Sequence, residues 1–126
     1  MCRHSLFRNI AAGPGEIAGP AVASWDGSSN TLTEGNTVLN CARAIAYGLG
    51  DKPSGLDHAG GVIRNNFIYR ASNQPGDAAI SVADSPATKV VNNTVVLSGT
   101  YSTPIEYRFA DTTGVVVANN LLDGFL

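Results

Sequence analysis

An Asn-centred pattern returns at a fixed interval along this chain, and few folds can accommodate such a register. The segments Asp57 to Ile68, Asp84 to Val95 and Asp111 to Leu122 align without gaps. Each opens on an Asp, continues through a Val/Ile-rich run, and reaches an Asn-Asn pair followed by a second apolar run. Asn66, Asn93 and Asn120 stand 27 residues apart. Two weaker copies precede them: Asn36 lies 30 residues before Asn66, and Asn9 lies 27 before Asn36. Five Asn are therefore expected in one register. Self-similarity at such a period marks a solenoid, in which each repeat buries its apolar face on its neighbours.

The runs inside a repeat have a direct reading. Val62-Ile-Arg, Lys89-Val-Val and Val116-Val-Ala are short and β-prone. The Asn that follow adopt a left-handed conformation at little cost, so the chain bends there. Phe67-Ile-Tyr, Thr94-Val-Val and Leu121-Leu form a second strand. A variable loop comes next, 71–77 in one coil and 98–103 in another. A third strand then leads to an Asp turn. The expected fold is all-β: a right-handed parallel β-helix of about four to five coils, with ~27 residues per coil, each coil ~4.8 Å above the last. Ile63, Val90 and Val117 should stack as one inward column; Ile68, Val95 and Leu122 as a second; Val82 and Phe109 as a third. An antiparallel sandwich also has short strands and turns, but it does not require a constant 27-residue register.

Composition agrees and excludes several functions. The 126 residues leave room for one domain spanning 1–126, with 44% hydrophobic residues for its core. Only 14% are charged, against roughly 25% in an average globular domain. The net charge of −2 provides no basic face for nucleic acid. No apolar run approaches the ~20 residues that would span a membrane. The segment from Met1 to Ala12 lacks the apolar stretch of a signal peptide. Cys2 and Cys41 read as free thiols, Cys41 packed and Cys2 in a loose terminus. Neither end shows an obvious polar cap. That predicts either a piece of a longer solenoid or coil ends that pair in a homo-oligomer.

The Val/Ile-x-Asn-Asn-x-Val/Ile copies, with Asn93 to Leu97 and Asn119 to Gly124, resemble the right-handed parallel β-helix repeat family, the pectate-lyase-like superfamily. The resemblance covers nearly the whole chain and is best from Gly35 onward. It implies the fold, and it implies kinship with polysaccharide lyases, glycoside hydrolases, epimerases and phage tailspikes, whose longer members are usually secreted. In such enzymes the substrate lies along the strand before the Asp turn. Here those strands are expected at 21–25, 44–48, 79–83 and 106–110. Two outward columns are expected, Ala21, Ala44, Ala79, Glu106 and Ala23, Ala46, Ser81, Arg108.

Candidate chemistry concentrates on a few residues. Glu106 and Arg108 share one strand face at i, i+2. In a lyase, Arg108 would abstract a proton or neutralise a uronate, with Glu106 orienting it or holding a metal. The plain alternative is a surface ion pair. The longest insertion, Gly48 to His58, carries Asp51, Lys52, Asp57 and His58, and long loops on a rigid scaffold often carry function. Asp57 is also the repeat Asp, whose expected task is to bond turn amides. His58 is a candidate acid or base, or an idle surface His. Trp25 would stack on a sugar or cap the core. Asp77 would contact substrate, and Asp77, Asp84 and Asp111 with loop carbonyls could hold Ca2+, although no EF-hand or RTX spacing is present. Arg64 and Arg70 read as exposed, solvated positions. No nucleotide-binding, serine-hydrolase or zinc motif occurs.

Two functions follow. One is a module that binds or processes polysaccharide, with Glu106, Arg108 and His58 as catalytic candidates and Trp25, Asp51, Lys52 and Asp77 as substrate-binding candidates. The other is a non-catalytic structural or self-assembling β-solenoid.

Overall fold

The chain is described by a computed structural model that covers all residues except 15, 17, 18, 75, 99–102 and 124–126. The expected loop at 98–103 therefore lies mostly outside the described residues, as does the chain end after Asp123.

Among the described residues every regular element is a short strand. The first coil holds β1 (Cys2–Arg3), β2 (Leu6–Arg8) and β3 (Val22–Ser24). The second holds β4 (Ser28–Ser29), β5 (Leu32–Glu34), β6 (Thr37–Leu39) and β7 (Ile45–Tyr47). The third holds β8 (His58–Ala59), β9 (Val62–Arg64), β10 (Phe67–Arg70) and β11 (Ile80–Ala83). The fourth holds β12 (Lys89–Val91), β13 (Thr94–Leu97) and β14 (Ile105–Arg108), and β15 (Val116–Ala118) and β16 (Leu121–Leu122) begin a fifth. Like strands pair in parallel from coil to coil. They form sheet I (β1, β5, β9, β12, β15), sheet II (β2, β6, β10, β13, β16), sheet III (β3, β7, β11, β14) and a short ladder of β4 with β8. The chain is a parallel β-solenoid of about four turns.

The corners explain the sequence pattern. The residue before each ladder position is left-handed: His4, Gly35, Asn65, Asn92 and Asn119 all have φ between 49° and 64°. Asn and Gly tolerate that region best, so the first Asn of each pair makes the bend. The second Asn makes the ladder. Asn66 donates to Asn93 Oδ1 from its backbone N at 3.1 Å and from its Nδ2 at 2.9 Å. Asn36 does the same to Asn66, and Asn93 to Asn120. The spare Nδ2 proton of each goes to a strand carbonyl, Thr33 O for Asn66 and Val90 O for Asn120. Buried amides are thus satisfied where the chain turns away from its strand partners.

Asn9 is not in this ladder. Leu6 pairs with Thr37, so Ser5 stands where Asn36 stands, and the Ser5 amide donates to Asn36 Oδ1 at 3.0 Å. Asn9 instead makes a second left-handed bend beside Asn40, with φ of 57° and 52°. The ladder has four Asn, capped by a backbone amide of Ser5.

The inward columns follow the expected parity. Thr33, Ile63, Val90 and Val117 stack on sheet I, and Phe7, Val38, Ile68, Val95 and Leu122 on sheet II. Val38, Ile63, Val90 and Val95 are fully buried. Cys2 also differs from expectation: it lies in β1 opposite Thr33 rather than in a loose terminus. Sheet III departs from the repeat. Ile80 pairs with Ile105 and Val82 with Tyr107, two residues short of the usual spacing. Phe109 is therefore not in the third column. It is exposed and left-handed at φ 73°, across the stack from the Asp84 bend. The extra residues after it leave Asp111 exposed and outside the turn that Asp57 and Asp84 build.

Candidate functional site

Sheet III carries the face on which chemistry was expected. Its central outward column is Ala23, Ala46, Ser81 and Glu106. The short pairing of Ile80 with Ile105 moves Glu106 beside Ser81 and Arg108 beside Ala83. The floor of small residues is real, but its middle is closed: Ala46 is 0% exposed and Ala83 is 6% exposed. Trp25 stands beyond β3 in the first coil, 53% exposed. Glu106 and Arg108 stand on the fourth coil. Their i, i+2 spacing brings Arg108 Nη2 to 2.8 Å from Glu106 Oε2, so the two engage each other.

The insertion at 49–56 leaves the corner after sheet III and is tied down by the two repeat Asp. Asp57 is buried, and its carboxylate accepts the amides of Asp26 at 2.8 Å, Leu49 at 2.6 Å and Gly50 at 3.3 Å. Asp84 Oδ2 accepts the Asp57 amide at 3.0 Å and the Lys52 amide at 3.4 Å. Burial pushes the Asp57 carboxyl up, but the three amides and Lys52 outweigh it and hold it below the ordinary carboxylate range. Lys52 Nζ lies 2.6 Å from Asp26 Oδ1 and 3.5 Å from Asp57 Oδ1. The hydrogen bond that Lys52 donates to Asp26 raises its pKa and keeps it charged. Asp51 is exposed on the same insertion.

His58 is not on the surface. Its side chain points into the coil and is fully buried. The ring lies 4.4 Å, centroid to centroid, from Tyr47, and Nε2 is 3.2 Å from Thr31 Oγ1. Burial lowers the His58 pKa against the opposing pull of Asp57, so the imidazole is neutral near pH 7. Burial likewise pushes the Tyr47 hydroxyl up to about 12. That hydroxyl bonds Thr33 Oγ1 at 3.0 Å and the carbonyls of Thr31 and Val62.

Asp77 sits at the opposite corner, ahead of sheet III. It binds Arg43 Nε at 2.7 Å, and its backbone carbonyl accepts Arg70 Nη1 at 2.9 Å. Arg70, expected to be solvated, is 2% exposed and also donates to Ala42 O at 3.0 Å. Arg64 is exposed as expected and pairs with Glu34 at 2.9 Å.

The structure therefore joins Lys52 to Asp26 and Asp57, Glu106 to Arg108, and Asp77 to Arg43 and Arg70. It does not gather these groups around one cleft. Asp77 and the insertion flank opposite edges of sheet III, and His58 is inside the coil. Asp77, Asp84 and Asp111 are likewise dispersed, and among the described residues no three His, Cys, Asp or Glu side chains converge on a point. Sequence reasoning missed Asp26, Arg43 and the packing of Tyr47 on His58. Their partners lie on neighbouring coils, 34 residues away for Arg43 and Asp77, so no local pattern announces them. No family model, no curated protein and no solved structure matches the chain; what is established is the parallel β-solenoid fold.

Proposed function

We propose that this chain is a non-catalytic β-solenoid module with a structural, self-assembling role. One observation carries the reading: Lys52, Asp57 and Asp77 are engaged in holding coils and corners together, Glu106 and Arg108 engage each other on one strand, and His58 is buried in the core. General acid–base work needs such a group within reach of a substrate proton, and the buried His58 meets no substrate without unfolding of the coil. The deciding experiment is incubation with a panel of acidic and neutral polysaccharides. The expected result is neither unsaturated products nor new reducing ends. Turnover of any glycan that is lost in Glu106→Gln or Arg108→Met would overturn the reading.

A second reading has its own support. Trp25 presents an exposed indole at one end of the small-residue face, and the Glu106–Arg108 pair stands at the other. That layout suits weak stacking on a polysaccharide, in keeping with the resemblance to the pectate-lyase-like superfamily. Trp25 is the single tryptophan, so its fluorescence reports binding directly. Quenching by one glycan of the panel, abolished in Trp25→Ala, would establish it.

A further inference from the structure

The outward face of sheet II reads the same from either end. One column along the stack is Leu6, Thr37, Phe67, Thr94, Leu121. The order Leu-Thr-Phe-Thr-Leu is a palindrome centred on the third coil. Beside it run Arg8, Leu39, Tyr69 and Val96. Asp123 completes this second column, because its amide continues the ladder to Val95 O at 3.0 Å. That column is basic at one end, apolar and aromatic in the middle, and acidic at the other end.

The face is also the apolar one. Leu6 is 58% exposed, Phe67 42% and Leu121 69%. Sheet I also presents Leu32, Val62 and Val116, but Lys89 interrupts that column, and the column beside it carries Arg3, Glu34 and Arg64, already paired among themselves. Sheet III is inaccessible at its centre, where Ala46 and Ala83 are buried. Singly exposed apolar residues need no explanation, but a contiguous ladder of them marks a contact surface.

We infer that sheet II docks against sheet II of a second copy of this chain, about a two-fold axis that runs along the strand direction through Phe67 and Tyr69. Such a rotation keeps each column facing its own equivalent and reverses the stack. Phe67 meets Phe67 and Tyr69 meets Tyr69. Leu6 meets Leu121, Thr37 meets Thr94, and Leu39 meets Val96. Arg8 meets Asp123 at both rims. An isologous interface requires this kind of self-complementarity. The alternative two-fold, along the stack, would set column against column within one coil and leave Arg8 and Asp123 unmatched. Two columns on five strands cover on the order of 300 Å² per copy, well below the roughly 800 Å² of a standard interface. The dimer is therefore weak and concentration-dependent. This inference rests on the self-assembling reading above and specifies its surface: the side of the solenoid, not the coil ends.

Sedimentation of the full chain from micromolar to near-millimolar concentration tests it. The expected result is a monomer that shifts to a dimer and no further. Phe67→Glu should keep the circular dichroism of the parent and stay monomeric throughout. Arg8→Glu should weaken the dimer at least several-fold, and Arg8→Glu combined with Asp123→Arg should restore it. Thr37→Cys protein mixed with Thr94→Cys protein should cross-link on mild oxidation, beyond the background of Cys2 and Cys41 in the parent. A monomer at the highest concentration overturns the inference. So does a dimer indifferent to Phe67→Glu, or growth into open-ended oligomers, which end-to-end stacking would produce. A monomer without glycan turnover would remove both the docking surface and the self-assembling role and leave only the non-catalytic part of the reading, whereas open-ended oligomers would remove the docking surface and keep self-assembly. A dimer that cleaves glycan would keep the docking surface and remove the non-catalytic part.

Discussion

Asn93 Oδ1 accepts two hydrogen bonds from Asn66 at once, one from its backbone amide at 3.1 Å and one from its Nδ2 at 2.9 Å. Asn66 Oδ1 in turn receives the same pair from Asn36. Removing one rung therefore strands groups on both neighbours. Asn66→Ala leaves the buried Asn36 amide without its acceptor and takes side-chain partners from Asn36 Nδ2, Thr33 O and Asn93 Oδ1, and a buried group left unsatisfied costs about 1–3 kcal/mol. A loss of roughly 3 kcal/mol in urea unfolding is expected. Asn9→Gly, outside the ladder and already left-handed, should change stability by less than about 0.5 kcal/mol. Equal effects would contradict the assigned register.

Acid should act in two windows. The His58 pKa is lowered from 6.5 by burial. The unfolded chain therefore takes up this proton first as pH falls below 6.5, and stability declines from there down to the folded value. The Asp57 pKa is lowered from 3.8, so its contribution is full above that pH and is lost as pH falls toward the folded value. Melting temperature followed from neutral pH downward should drop in both ranges. In His58→Phe the upper drop should disappear while the lower one remains.

Gly48 and Gly55 share a left-handed backbone, with φ of 73° and 79°, but not surroundings. A Cβ on Gly48 would come within 1.7 Å of Ala83 O, whereas one on Gly55 would meet open space. Gly55→Ala should cost about 1–2 kcal/mol from the backbone alone. Gly48→Ala must also push two coils apart, and a loss of more than about 3 kcal/mol, or failure to fold, is expected. Chemical denaturation of the two variants makes the comparison.

Arg70 is buried with its Nη1 shared between Ala42 O and Asp77 O, and a Cβ on Gly76 would collide with its guanidinium. Arg70→Met keeps the apolar stem but removes the donor shared by both carbonyls; Ala42 O retains the Asp77 amide at 2.7 Å, so the loss should be about 1–3 kcal/mol. The exposed pair of Glu106 and Arg108 provides the contrast. Arg108→Met should change stability by no more than about 1 kcal/mol. Thermal unfolding of the two proteins should show the larger loss in Arg70→Met.

The sequence by itself determined the coil. Its spacing defined the parallel stack, its Val/Ile runs defined the inward columns of sheets I and II, and its Asn-Asn pairs defined the corners. These are local patterns repeated in register, and parity along a strand tells inside from outside. Glu106 and Arg108 were placed on one face for the same reason.

Only the tertiary structure decided the offsets. Tyr107 and Phe109 have the same parity, as do Ser5 and Asn9, so alternation cannot choose between them. The choice was made by Ile105 packing in register with Ile80 and by the Ser5 amide reaching Asn36 Oδ1. Both are contacts between coils, and the connections between strands absorb the difference in length. His58 escaped for a related reason: β8 is two residues long, too short to alternate, and its direction was set by the space beside Tyr47. The palindrome on sheet II was spread over residues 6 to 123. It became a surface only when parallel stacking brought five distant residues of each column side by side.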